Sequence, residues 1–142
     1  MKVQKIRQVK TPNRGTDQSA GIDFFVPEDY PTTALKPGES VLIPSGIKAQ
    51  VPAGYALIAF NKSGVATKQG LSVGACCVDE DYEGEIHLHM INISSTIQTI
   101  STGQKLVQFI LLPVSYAEVQ EVTELKPRNT QRGAGGFGST GL

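Results

Sequence analysis

Tryptophan is absent from this chain of 142 residues, and cysteine, methionine and histidine each occur only twice. The two cysteines are neighbours, Cys76 and Cys77. That excludes a disulfide framework, because a normal bridge needs Cα atoms about 4.4–6.8 Å apart in a suitable orientation. Two reduced thiols in a cytosolic protein are expected instead. An excess of one charge is also missing, since thirteen basic and thirteen acidic residues cancel. Nucleic-acid binding through a uniformly basic surface is thereby excluded. No long apolar run occurs. The longest, 53–60, is interrupted at Gly54 and falls far short of the ~20 residues that a spanning helix needs. The opening MKVQKIRQVK has no apolar stretch behind it, so neither a secretory signal nor a membrane segment is expected, and the expected location is cytoplasmic. The sequon Asn92-Ile93-Ser94 is then a chance match.

What is present is glycine and proline, 23 together, in a chain 39% apolar and 18% charged. That composition suits one folded domain with many turns and short elements. Apolar or β-branched stretches recur at 40–43, 46–51, 55–60, 86–93, 96–100, 105–112 and 118–122, separated by turn residues such as Lys36-Pro37-Gly38 and Ser101-Thr102-Gly103. Short strands at that spacing predict an all-β sandwich or barrel. Alternation is clearest at 85–91: Glu85, His87 and His89 share one face, and Ile86, Leu88 and Met90 the other. One short helix is expected over 64–71, capped by Ser63 and stopped by Gly70. From Lys126 the chain turns basic and then glycine-rich, with five glycines from Gly133 to Gly141. The organisation read from this is a β-domain over 1–126 and a flexible arm over 127–142.

Four constellations carry candidate chemistry. In the arm, Gly133 to Thr140 nearly fits a phosphate loop, but Ser139 stands where lysine belongs and no helix can follow. Glycine amides, two hydroxyls and the Arg132 fork still suit phosphate, and Phe137 suits stacking on a base. The run 79–85 holds five carboxylates in seven residues. Most such runs are solvated turns, yet this one follows the apolar Cys76-Cys77-Val78, which places Asp79 at a pocket edge as a base for water or a ligand for Mg2+. Asn61-Lys62-Ser63-Gly64 sits at a strand-to-helix junction suited to an anion, or to ordinary capping. One cysteine with His87 and His89 supplies three zinc-type ligands, but at no established zinc spacing.

The order of these pieces resembles the trimeric dUTP diphosphatase (dUTPase) family. Its five motifs are matched by Ala20-Gly21-Ile22-Asp23, by Lys62-Ser63-Gly64-Val65-Ala66, by the stretch Cys77-Val78-Asp79-Glu80-Asp81-Tyr82-Glu83-Gly84-Glu85, by Gly103-Gln104-Lys105-Leu106-Val107-Gln108, and by Arg132 through Gly141. The likeness runs from about residue 15 to the end. There are departures. Asn61-Lys62 replaces Pro-Arg, Cys76 a usual glycine, Glu83 a common arginine, and Lys105 a usual arginine. Lys62 keeps the charge without the bidentate fork.

The resemblance implies a jelly-roll-like homotrimer that hydrolyses dUTP to dUMP and diphosphate, limiting uracil incorporation into DNA and supplying dUMP for thymidylate synthesis. By similarity, Asp79 activates the water that attacks the α-phosphorus. Tyr82 packs on the deoxyribose. A hairpin of Cys77, Val78 and Asp79 with its return near His87 reads uracil. Lys62, Ser63, Gly64 and Gln108 hold phosphates, Arg132, Gly138, Ser139 and Thr140 clamp their far end, and Phe137 covers the base. Mg2+ rides on the triphosphate and water, with Asp23 structural or behind the metal's ligands. Sites lie between subunits, and the arm is donated across them. Two rivals are a dCTP deaminase-related enzyme, for which no amine-facing carboxylate set is found, and a nucleotide-binding regulatory protein.

Overall fold

The computed structural model describes residues 1–75 and 77–136. Among these are twelve strands and one helix, and every strand pairing is antiparallel. The strands are β1 (Lys2–Lys5), β2 (Asn13–Arg14), β3 (Ile22–Phe25), β4 (Thr33–Leu35), β5 (Ser40–Pro44) and β6 (Ile47–Gln50). Then follow β7 (Tyr55–Asn61), helix α1 (Ser63–Gln69), β8 (Leu71–Val73), β9 (Cys77–Val78), β10 (His87–Asn92), β11 (Gln98–Ile100) and β12 (Lys105–Pro113).

One sheet runs β2-β3-β12-β7-β9 and a second β5-β10-β8, with two-stranded ribbons β1-β6 and β11-β4. The fold is the expected all-β, jelly-roll-like one. Inward faces of these sheets make a single core. Phe24 of β3 and Phe109 of β12 meet at a ring-centroid separation of 4.5 Å, packed with Leu57, Ile43, Leu88 and Met90. β10 shows why alternation was readable: Leu88 and Met90 are buried while His87 is exposed. Asn92 closes that strand fully buried, its amide donating to the carbonyls of Leu35 and Thr96 at 2.8 Å each.

Four expectations need correction. Residues 118–122 form no strand: among the described residues regular structure ends at Pro113, and 118–122 are exposed and pair with no strand. The helix starts at Ser63, and its N-cap is Lys62, in extended conformation and without a side-chain capping bond. Gly70 does end it, in the left-handed region. β9 and β10 are not a hydrogen-bonded hairpin. β9 pairs with β7, and β10 with β5 and β8, so the two arms belong to different sheets. Finally, β1 and β3 were not anticipated. The first is polar and exposed, and the second carries a buried carboxylate, Asp23, in an apolar run.

Candidate active site

Two clusters of functional side chains emerge. The first is cationic and built around Asp23, which is 4% exposed. Lys62 Nζ donates to Asp23 Oδ1, and Lys105 Nζ lies 3.0 Å from Oδ2. Topology explains the meeting: β12 carries Lys105 beside β3, and Lys62 follows β7 on the other side of β12. Gln108 stands opposite Asp23 in the register and donates to the Asn61 carbonyl at 2.7 Å. Gly21 makes room for it, because a Cβ there would sit 2.1 Å from Gln108 Oε1. Asn61, where the family has proline, accepts the Val73 N–H at 2.7 Å and so ties β8 to β7. Lys62, Lys105 and Gln108 thus converge, with Ser63 and Gly64 opening α1 beside them.

Burial pushes the Asp23 carboxyl upward, but its hydrogen bonds and charge attraction to Lys62 and Lys105 outweigh that and hold it below its ordinary 3.8. A lowered folded value means that Asp23 adds stability above pH 3.8 and loses it as the pH falls through the folded value. Asp23→Ala is expected to cost about 1–3 kcal/mol, less than a fully buried pair because both lysines reach solvent. Urea titrations at successive pH values check this. The variant should lack this component of acid sensitivity; an unchanged acid profile would contradict it.

The second cluster is the acidic run, whose carboxylates divide by task. Glu85 Oε1 accepts the Gly46 N–H at 2.8 Å and Arg7 Nε at 3.0 Å. The Glu85 hydrogen bond and charge raise the Arg7 guanidinium above its ordinary value. Glu80 Oε2 accepts the Gly54 N–H at 2.5 Å and the Tyr116 hydroxyl at 2.7 Å. These two are scaffolding. Asp79 is exposed, and the Cys77 thiol donates to its Oδ1 at 3.5 Å. It lines an open cleft of about 530 Å³ with Tyr55, Ile58, Cys77 and Tyr116. Tyr82 is 43% exposed, and its hydroxyl donates to the Glu85 carbonyl at 2.8 Å. His87 Nδ1 donates to the same carbonyl at 2.9 Å. His89 Nδ1 accepts the Ala75 N–H at 2.8 Å, a brace for the chain entering β9. Among the described residues no group of three or more His, Cys, Asp and Glu could hold a metal.

The chain does not bring the two clusters together. Val78 pairs with Leu57, whereas Lys62 lies just past the far end of β7. At ~3.3 Å per residue that places Asp79 roughly 15–20 Å from Lys62 along the strand. Arg132 stands with neither, its Nε donating to Gly135 O at 2.9 Å within its own turn. Cys76, Phe137, Gly138, Ser139 and Thr140 lie outside the described residues. Sequence reasoning missed Lys105 as a partner of Asp23, and Glu80, Glu85 and Tyr116 as supports. Only the charge of Lys105, two residues past the Ser101–Thr102–Gly103 turn and on the same strand as Gln108, could have signalled its place.

A jelly-roll-like domain with a lysine pair suited to phosphate and a separate loop presenting a carboxylate defines a class, that of all-β nucleotide hydrolases. The dUTPase family model matches residues 7–141. The chain is similar to deoxyuridine 5'-triphosphate nucleotidohydrolases from Hydrogenobaculum sp., 38% identical over 99% of this chain and 96% of the relative, and from Mus musculus, 37% identical over 92% and 77%. In fold it is similar to a Staphylococcus bacteriophage 80alpha dUTPase with dUpNHpp, at TM-score 0.88 and 22% identity over 99% of this chain and 98% of that one. A variant dUTPase from phage phi11 of S. aureus, described for its coordination of a structural Mg(II) ion, matches at TM-score 0.75 and 24% identity, over 87% and 96%. The chain belongs to the dUTPase family.

Proposed function

We propose that the protein hydrolyses dUTP to dUMP and diphosphate with Asp79 as general base, at sites shared between the subunits of a homotrimer. The observation that carries the assignment of the base is the division of labour in the acidic loop. Glu80 and Glu85 are engaged by backbone amides and by Tyr116 or Arg7, which leaves Asp79 and Asp81 exposed at the cleft, and of these two Asp79 is the one at the family's motif position. In the reaction Asp79 accepts a proton from water as the water oxygen attacks the α-phosphorus. The bond from that phosphorus to the bridging oxygen breaks, and diphosphate leaves with the electron pair. Lys62 and Lys105, held by Asp23, offset negative charge on the phosphates, with Ser63, Gly64 and Gln108 beside them.

Uracil enters between β9 and β10, which lie in different sheets, and is read by Cys77, Val78 and His87. Tyr82, fixed through its hydroxyl, meets the deoxyribose face. The arm from Pro127 brings Arg132, Phe137, Gly138, Ser139 and Thr140 over the nucleotide and excludes water. Mg2+ belongs with the triphosphate: both Asp23 oxygens already hold ammonium groups, and a hard cation of this kind is commonly held by substrate phosphates and water. When bound it neutralises phosphate charge.

The span within one chain supports sharing between subunits. A nucleotide that touches Asp79 cannot also lie on the lysine pair of the same chain without bridging roughly 15–20 Å. Apolar side chains left outside, Leu42 at 57%, Ile93 at 66% and Ile97 at 62% exposed, fit a chain that packs against copies of itself.

Diphosphate release from dUTP, dCTP, dTTP and UTP by the purified protein tests this reading. Backbone donors and acceptors that match uracil leave buried groups unpaired against cytosine, so dUTP should lead in kcat/KM by about 10²-fold or more. A 5-methyl or a ribose 2′-hydroxyl should be rejected sterically. Comparable hydrolysis of dTTP or UTP would contradict it.

A further inference from the structure

At Tyr116 the chain leaves the β-domain. β12 ends with Pro113 opposite Tyr55, and the next residue, Val114, donates its N–H to the Gly54 carbonyl at 2.9 Å. Two residues on, the Tyr116 hydroxyl donates to Glu80 Oε2 at 2.7 Å, the same oxygen that accepts the Gly54 N–H. Three segments therefore meet at one carboxylate: the turn before β7, the chain just after β12, and the loop that carries Asp79. The Tyr116 side chain is 68% exposed. Packing alone does not fix it, so the hydrogen bond does. Its phenol is pushed up to about 12, first by the hydrogen bond to Glu80, and Glu80 is lowered in turn by Tyr116 and Gly54.

We infer that Tyr116, acting through Glu80, is a positioning residue that holds Asp79 in its productive place. Glu80 is the next residue after Asp79, and adjacent Cα atoms are ~3.8 Å apart, so tethering one carboxylate restrains the backbone of the other. The other ties at Asp79 are long ones, Tyr82 N–H to the Asp79 carbonyl at 3.3 Å and the Cys77 thiol to its Oδ1 at 3.5 Å. Tyr116 and Asp79 also line the same cleft, so the chain just after β12 and the base share a wall. Loosening the tie spreads the carboxylate over more positions relative to the attacking water, a loss of orientation that falls on turnover rather than on binding. The inference rests on Asp79 being the base.

The test compares wild type with Tyr116→Phe, Glu80→Ala, Glu80→Gln, the Tyr116→Phe/Glu80→Ala double variant and Asp79→Asn. For Tyr116→Phe and Glu80→Ala, kcat on dUTP should fall about 3- to 10-fold with KM within about twofold, since the chemical step loses orientation while substrate contacts stay. Glu80→Gln keeps an acceptor oxygen for both donors and should retain most of the rate. The double variant should be no slower than Glu80→Ala. Amide exchange over residues 79–82 should quicken in Tyr116→Phe at nearly unchanged melting temperature. Unchanged kcat and exchange in Tyr116→Phe, beside an inactive Asp79→Asn, would overturn this inference and leave the assignment of the base standing. Full activity in Asp79→Asn would overturn both.

Discussion

Asp79→Asn is expected to lower dUTP turnover by about 10²–10⁴-fold while nucleotide still binds, the range that removal of a general base costs. The substitution keeps size and polarity and removes the ability to take a proton. Asp79 is exposed and its side-chain partner is the Cys77 thiol at 3.5 Å, so little of the fold depends on it. Folding and assembly should be indistinguishable from wild type. Glu80→Gln and Glu85→Gln make the natural controls, because those carboxylates serve backbone amides, Tyr116 and Arg7. Single-turnover rates with dUTP, and calorimetric binding of a non-hydrolysable analogue, separate chemistry from affinity. Near-normal turnover in Asp79→Asn would remove the residue from its role.

Deleting residues 133–142 should leave the assembly and its melting temperature intact while removing most catalysis, by about 10²-fold or more. The described part of the deleted segment explains the first half: Gly133 and Ala134 are exposed, Gly135 and Gly136 half-buried, and none of them belongs to the core. The second half follows from the chemistry of the phosphate end. Lys62 and Lys105 are point charges already shared with Asp23, and neither provides a planar fork. Backbone amides of a glycine-rich segment, two hydroxyls and an aromatic cover come only from the arm. A truncated protein that hydrolyses dUTP at the full rate would reduce the arm to an ornament of the terminus.

How far the sequence could be read depended on whether a feature was local. Ile86 to Asn92 announces its strand because every second residue is buried, and Lys105 to Pro113 does so by its apolar length. β1, with three exposed residues of four, and the two-residue β9 exist because a partner strand lies beside them. No periodicity encodes that. The converse error is Glu118 to Val122, a stretch read as a strand with no edge to pair with among the described residues. In the candidate site, the nearness of Gln108 to Lys62 agrees with the grouping that the sequence suggested. The grip of Asp23 on two lysines was not, because Lys62 and Lys105 are far apart in sequence and meet only through β12 lying between β3 and β7. The five-carboxylate run was expected to be solvent-facing, yet the side chain of Glu85 is only 16% exposed and bound to Arg7 and Gly46. Composition alone does not sort structural carboxylates from reactive ones. The activity itself was legible through the order of five motifs rather than through any one of them.

That the base and the arm act from different chains is tested most directly by subunit exchange. Asp79→Asn chains and chains lacking residues 133–142, each nearly inactive alone, are unfolded, mixed, refolded and assayed for diphosphate release from dUTP, with mixed oligomers verified by native mass spectrometry. Shared sites predict recovery, because some sites then combine an intact Asp79 from one chain with an intact arm from another. Mixed oligomers as inactive as their parents would show that each site is built from a single chain.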